Sequence, residues 1–438
     1  MPLLSIQIWL PLVGAVLLLA ASKAPAALAR GIAWVTALLT FLVSVGIYLG
    51  FQQDSFHFQL VESHDWIPSL GIKYALGIDG ISLWLVVLTS FIGLIAVGLS
   101  RYVTQQTHAF LALVLALESF MLGAFASLDL LLFFTFFELT LFPLYFLIVI
   151  WGGERRNFAG AKFFIYTFAG SIFMLIGMIA VAFRMPGGAS FDLQQIQQVV
   201  STGQLWQGNT TLETLVFWAF TVGFLIKSPS FPFHTWIADT YSESPAVVPL
   251  LSSVMAKLGT FGLLRFCLPL FPDVVAAQTP LLMGLAIAGI VYGGILATIQ
   301  KDMRRVIAYS SVSHMGFILL GIFSLMYSGM VGAAYQQINH GIVAGGLIVL
   351  IGLLYERRKT NQLSEYGGLK AQMPMFATLF LILTLASVGL PGTNGFVGEF
   401  LSLLGSFEVS SHKLVPGLSL LYPVIAVSGV VLAAGYML

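Results

Sequence analysis

The sequence predicts an all-α polytopic membrane protein of thirteen helices, with two inverted five-helix repeats that each contain a broken helix. Three observations predict it. Hydrophobic residues make up 58% of the 438 and charged residues only 8%, where a soluble domain carries roughly 25% charged residues. Thirteen apolar runs approach the ~20 residues that a membrane-spanning helix needs. Two of those runs are interrupted by proline or glycine beside an ionisable residue, a pattern that transporters use to build ion sites at mid-membrane.

The runs fall at 3–22, 31–51, 79–100, 108–127, 129–151 and 161–183, then at 213–238 (broken), 247–270, 278–299, 303–325, 329–355, 373–407 (broken) and 415–438. The first, without a positive leader, reads as a retained helix and not a cleaved signal. Residues 52–78, with Trp66, Pro68 and Gly71, form a more polar connection that reads as a hairpin. Residues 187–204, with Phe191, Leu193, Ile196 and Val199, read as a short amphipathic interfacial helix. The last run stops at Leu438 without a cap or polar tail, which leaves at least one further helix to be expected.

Basic residues set the orientation. With the N-terminus outside, thirteen lie in inside connections: Lys23, Arg30, Arg101, Arg155, Arg156, Lys162, Lys301, Arg304, Arg305, Arg357, Arg358, Lys359 and Lys370. Four lie outside, namely Lys73, Arg184, Arg265 and Lys413. This is a positive-inside bias. The broken helices are the seventh and the twelfth. Helices 1–3 cover 1–107, helices 4–8 cover 108–271 and helices 9–13 cover 278–438, so each break falls in the fourth helix of a five-helix unit. An odd number of helices per unit implies opposite orientation, the pattern of an inverted repeat.

Composition also excludes. A net charge of +1 gives nucleic acid nothing to bind. A single cysteine, Cys267, rules out a disulfide framework and an all-cysteine iron–sulfur site within the chain. No glycine-rich dinucleotide fingerprint lies between a strand and a helix.

The chemistry-bearing residues sit inside the apolar runs. The first broken helix reads Phe224-Leu225-Ile226-Lys227-Ser228-Pro229-Ser230-Phe231-Pro232-Phe233-His234-Thr235-Trp236. A charge at the bilayer centre costs ~2.5–3.5 kcal/mol on insertion scales, and each proline removes a backbone donor. Glu138 lies among phenylalanines and must be neutral or paired, with Lys227 as the obvious partner. Lys257 is again mid-helix, where burial favours release and recapture of a proton. His314 follows Ser310, Ser311 and Ser313, and His340 follows Gln336 and Gln337, so each histidine has polar neighbours a turn away that could hold water. Lone histidines are also common as satisfied core residues. Glu399 follows Gly392-Thr393-Asn394-Gly395, just past the second break, and could also cap the second half-helix. His234 and Glu118 are weaker candidates, while Asp239 and Glu243 sit at the inside mouth or in a solvated loop. These groups exchange protons and are spread over several helices, as in a proton relay. None has metal-ligand spacing or a nucleophile–base arrangement.

These residues closely resemble the antiporter-like subunits of respiratory complex I. The matching stretches are Phe137-Glu138 to Pro143, Lys227 to Trp236, Lys257-Leu258-Gly259, Arg304 to Gly316, Asn339-His340-Gly341, and Leu390-Pro391-Gly392 to Glu399-Phe400. Glu399 is similar to the chain 4 member, since the longest member carries a lysine there. Trp151-Gly152-Gly153-Glu154-Arg155-Arg156 with Lys162-Phe163 resembles the cyanobacterial and chloroplast form. The resemblance implies a fourteen-helix antiporter-like bundle and a proton path through Glu138, Lys227, Lys257, His314, His340 and Glu399. It implies a multi-pass subunit of a thylakoid NAD(P)H- or ferredoxin-plastoquinone oxidoreductase, surrounded by lipids and by other membrane and peripheral subunits. Those partners would hold the iron–sulfur clusters and bind NAD(P)H or ferredoxin and plastoquinone, with no redox centre in this chain. Tyr241-Ser242-Glu243-Ser244 replaces the usual histidine-containing stretch and Thr393 a common leucine, which points to a divergent paralogue of the carbon-dioxide-uptake kind. A subunit of a multisubunit cation/proton antiporter and a structural membrane scaffold are the alternatives.

Overall fold

The computed structural model describes residues 2–412 and 417–438; Lys413, counted above as an outside charge, lies outside them. The expected antiporter-like, all-α fold is found, but the helices number seventeen among the described residues, not thirteen. The extra ones arise where a spanning run is cut in two or a connection coils. They are α1 (Leu3–Ala20), α2 (Ala26–Gly50), α3 (Gly80–Tyr102), α4 (Thr107–Ala126), α5 (Leu130–Trp151), α6 (Arg156–Ala182), α7 (Leu193–Ser201), α8 (Thr210–Lys227) and α9 (Thr235–Glu243). Then follow α10 (Val247–Leu270), α11 (Pro272–Thr298), α12 (Met303–Phe323), α13 (Tyr327–Arg358), α14 (Leu369–Gln372), α15 (Pro374–Val388), α16 (Asn394–Ser411) and α17 (Leu421–Met437). Eleven are long and apolar enough to cross a membrane, while α15 and α17 are shorter apolar helices. Here α15 is short because Gly389 ends it.

The chain forms two compact units. One comprises Met1–Gly152, Thr167–Phe224 and Arg265–Phe271; the other comprises Gly153–Tyr166, Leu225–Leu264 and Pro272–Leu438.

In the first unit, the polar connection is the hairpin the sequence implied. Strand β1 (Gln59–Ile67) pairs antiparallel with β2 (Ile72–Ile78). Gly71 at its turn has a φ of 66°, and a Cβ there would stand 2.0 Å from the Ala189 carbonyl oxygen, so only glycine fits. The amphipathic helix is α7, capped by the Asp192 carboxylate, which accepts from the amides of Gln194 and Gln195. Asp129 caps α5 in the same way. Lys73 ties the three elements together: its amide donates to Asp129 at 3.0 Å, and its Nζ pairs with Asp192 at 3.1 Å.

In the second unit, both breaks are real. After α8 the backbone leaves the helix at Ser228–His234 and resumes as α9. The Trp236 indole N–H donates to the Ile226 carbonyl at 3.0 Å, satisfying an oxygen that the break frees. Between α15 and α16, Gly389 has a φ of 74° and Gly392 a φ of 97°, conformations open to glycine. The most enclosed spans are α10 and α12, each 94% buried. They carry Lys257 and His314.

Candidate functional site

Four of the six residues singled out in the sequence meet in the second unit. Helix α10 is interrupted at Ala256, immediately before Lys257, and turns into a π-helical segment at Leu263–Cys267. Such irregularities recur at functional sites because they turn a side chain out of register. Lys257 is wholly enclosed, and its Nζ lies 2.5 Å from Nδ1 of His340 on α13. The imidazoles of His340 and His314 stand edge to face with centroids 5.5 Å apart. On the far side, His314 Nδ1 is 2.8 Å from Oε1 of Glu399 on α16. Lys257, His340, His314 and Glu399 thus form one unbroken line across α10, α13, α12 and α16. His340, His314 and Glu399 are each at most 5% exposed.

A shell of neutral polar groups holds this line. Gln336 donates to Glu399 Oε1 at 3.2 Å. Asn339 donates to the carbonyl of Asn394 at 2.7 Å, and the Asn394 amide reaches back to Asn339 Oδ1 at 3.2 Å, which closes α13 on the first turn of α16. Thr260 donates to Gln337 Oε1 at 2.7 Å, joining α10 to α13 beside Lys257. Ser387 Oγ lies 3.3 Å from Nε2 of His314. A cavity of about 10 Å³ is lined by Ser310, His314, Gln336, Asn339, His340 and Ser387. That is about the room one water needs. His340 Nε2, of a lining residue, is buried and has no hydrogen-bond partner among the described residues, so a water has a group to bond.

The sequence placed polar neighbours correctly but not their partners. Gln336 and Gln337, a turn before His340, bond Glu399 and Thr260 instead. Ser310 and Ser311 donate to the Ile307 carbonyl of their own helix, although Ser310 still lines the cavity. Thr260, Asn394 and Ser387 were missed as site residues; a polar residue inside an apolar run was the signal available for each.

Glu138 and Lys227 belong to different units. Lys227 closes α8 and is 1% exposed; Glu138 is half-buried on α5. Asp239 on α9 pairs with Lys162 at 2.8 Å and Arg305 at 3.0 Å, and Glu243 accepts from the Arg155 amide at 3.0 Å. Asp239 is thus ion-paired to two basic side chains, and Glu243 is bonded to a backbone amide. His234 packs its ring against Phe231 and Tyr292.

The line of titratable side chains ends on α16, the second half of the second broken helix. Residues 127–421 match the family described as NADH:quinone oxidoreductase/Mrp antiporter, transmembrane. The chain belongs to that family. It is 39% identical over 445 residues to the NADH-quinone oxidoreductase subunit M of Rickettsia bellii, covering 100% of this chain and 87% of that protein. It is 40% identical over 413 residues to the NAD(P)H-quinone oxidoreductase chain 4 3 of a Picosynechococcus strain, covering 93% and 73%. A chain in the structure of respiratory complex I from Thermus thermophilus with bound NADH superposes with a TM-score of 0.88 at 32% identity, over 100% of this chain and 87% of that one. The Lys257–Glu399 line lies within the segment that defines family membership.

Proposed function

We propose that this chain is the M- or chain-4-type membrane subunit of a proton-pumping quinone oxidoreductase. The single observation that carries the reading is the continuous line Lys257–His340–His314–Glu399 inside the membrane-spanning helices. The Lys257–His340 and His314–Glu399 contacts can each hold one proton in either of two places, and the cavity between the histidines has room for a bridging water. A proton enters at Glu138 and Lys227, passes to Lys257, crosses the two imidazoles and leaves from Glu399. Nothing along this path is redox-active, so electron transfer belongs to partner subunits, as do the NAD(P)H, iron–sulfur and quinone chemistry.

The two broken helices are the repeated elements of two inverted units, 108–271 and 278–438, following 1–107. The Rickettsia relative supports a respiratory complex in a bacterial plasma membrane. The Picosynechococcus relative, at similar identity over a shorter match, supports a photosynthetic form with plastoquinone in a thylakoid membrane, of which a carbon-dioxide-uptake paralogue is one kind.

The test is purification through a tag on this chain from its native membranes. Co-purifying peripheral subunits that oxidise NADH and reduce quinone, with acid uptake into vesicles, are expected. Their absence, with sodium-driven proton exchange in their place, would overturn the reading in favour of a cation/proton antiporter. A ferredoxin-accepting arm without an NADH-oxidising module would select the photosynthetic form.

A further inference from the structure

Away from that line, the first unit contains a carboxyl that the proposed path does not use. Glu118 on α4 is fully enclosed, and neither of its oxygens has a hydrogen-bond partner among the described residues. It rests against Gly93 of α3: a Cβ built there would come 2.4 Å from the carboxyl carbon and within 2.7 Å of both oxygens. Glycine at 93 leaves the space that the carboxyl fills. The neighbouring Ser119 donates to the Ile8 carbonyl at 2.7 Å and fixes α4 against α1. Gln7, next to Ile8, is 1% exposed, and both polar atoms of its side chain are also without a partner among the described residues. Buried polar groups are satisfied by protein or by ordered water. Both groups lie on packed helices, α1 and α4, and a water bonded to the Glu118 carboxyl would satisfy it.

The depth of the carboxyl is also informative. Glu118 stands eight residues before the end of α4 at Ala126, and Glu138 eight residues after the start of α5 at Leu130. The two helices are consecutive and antiparallel, and a Cβ at Gly123 of α4 would meet the Phe136 ring of α5 at 2.6 Å. At about 1.5 Å per residue, each glutamate lies roughly 12 Å from the shared turn. Both are therefore near the middle of a hydrocarbon core ~30 Å thick. A carboxylate there without donors or counter-charge is costly, and the neutral acid is the form such surroundings accept.

We propose that Glu118 is a second proton-holding carboxyl at the level of Glu138, exchanging its proton with a water molecule bonded to it during turnover. The step is a transfer of one proton between the carboxyl and that water, with no other bond made or broken. The proposal rests on the proton-pumping reading above.

The experiment is infrared difference spectroscopy of the whole complex during turnover, in ordinary and heavy water, with vesicle pumping measured in parallel. A carboxylic C=O band that shifts in heavy water and vanishes in Glu118→Gln, with pumping reduced several-fold, is expected. A band unchanged by the substitution, or wild-type pumping in an assembled Glu118→Gln complex, overturns the proposal. Glu118→Asp serves if the glutamine variant does not assemble: a displaced band supports the proposal and an unmoved band refutes it. Lys257→Ala is run alongside. If it pumps normally the relay itself fails; if it is dead while Glu118→Gln is normal, only the role of Glu118 fails.

Discussion

The Nζ of Lys257 and the Nδ1 of His340 lie 2.5 Å apart, within hydrogen-bond distance. Either the ammonium donates to a neutral imidazole, or the imidazolium donates to a neutral amine. Two full positive charges at this separation would repel by roughly 7 kcal/mol at an effective dielectric of about 20. Protonating one partner therefore moves the proton of the other. On the proposed reading, this coupling is what would pass a charge along the line.

Lys257→Ala removes the first member of that line. Proton pumping in reconstituted vesicles is expected to fall at least about tenfold, while the isolated electron-donating arm keeps its rate. Full pumping by a correctly assembled variant would count against the line as a proton path.

Glu399→Gln keeps the shape of the side chain and its capacity to bond Gln336, but the group can no longer ionise. Assembly is expected to be normal and pumping severely reduced. The measurement is acid uptake per quinone reduced, and an unchanged ratio would exclude Glu399 as the last station.

Gly389→Ala tests the break and the carboxylate together. Its φ of 74° is strained for any residue with a Cβ, and that Cβ would stand 2.6 Å from Glu399 Oε2. A loss of ~1–2 kcal/mol for the backbone alone is expected, read as a lower melting temperature in detergent, with pumping reduced because Glu399 is displaced from His314. A variant as stable and active as the parent would mean that the break is not required.

Asp79 gives the pH prediction. It caps α3 at the end of the hairpin. Burial alone would raise its carboxyl, but the Arg265 guanidinium at 2.6 Å, together with Ser82, outweighs burial and holds it below the ordinary carboxylate range. A group depressed in the folded state contributes stability above its unfolded value, and that contribution is lost as pH falls through the folded value. Thermal stability is therefore expected to drop below about pH 4, and Asp79→Asn should lower stability at neutral pH while flattening that acid limb. An acid limb of the same size in the variant would assign it to other carboxylates.

The sequence by itself determined the class of protein, because helices that cross lipid must be apolar along nearly their whole length, and a charge or a proline inside them stands out. The hairpin at 59–78, the amphipathic α7, both breaks, and Lys257, His314, His340 and Glu399 as the residues to watch were all legible on that ground. It undercounted the helices, thirteen against seventeen among the described residues, because hydropathy does not register where a break or a coiled connection starts a new helix. Only the tertiary structure decided who meets whom. Lys257 and His340 are 83 positions apart, and His314 and Glu399 are 85 apart. Helical periodicity reports neighbours a turn away, which is why Gln336 and Gln337 looked like companions of His340. Their actual partners, Glu399 and Thr260, come from other helices, and those contacts depend on how α10, α12, α13 and α16 pack. Packing is a property of the whole assembly of side chains, and no local pattern encodes it.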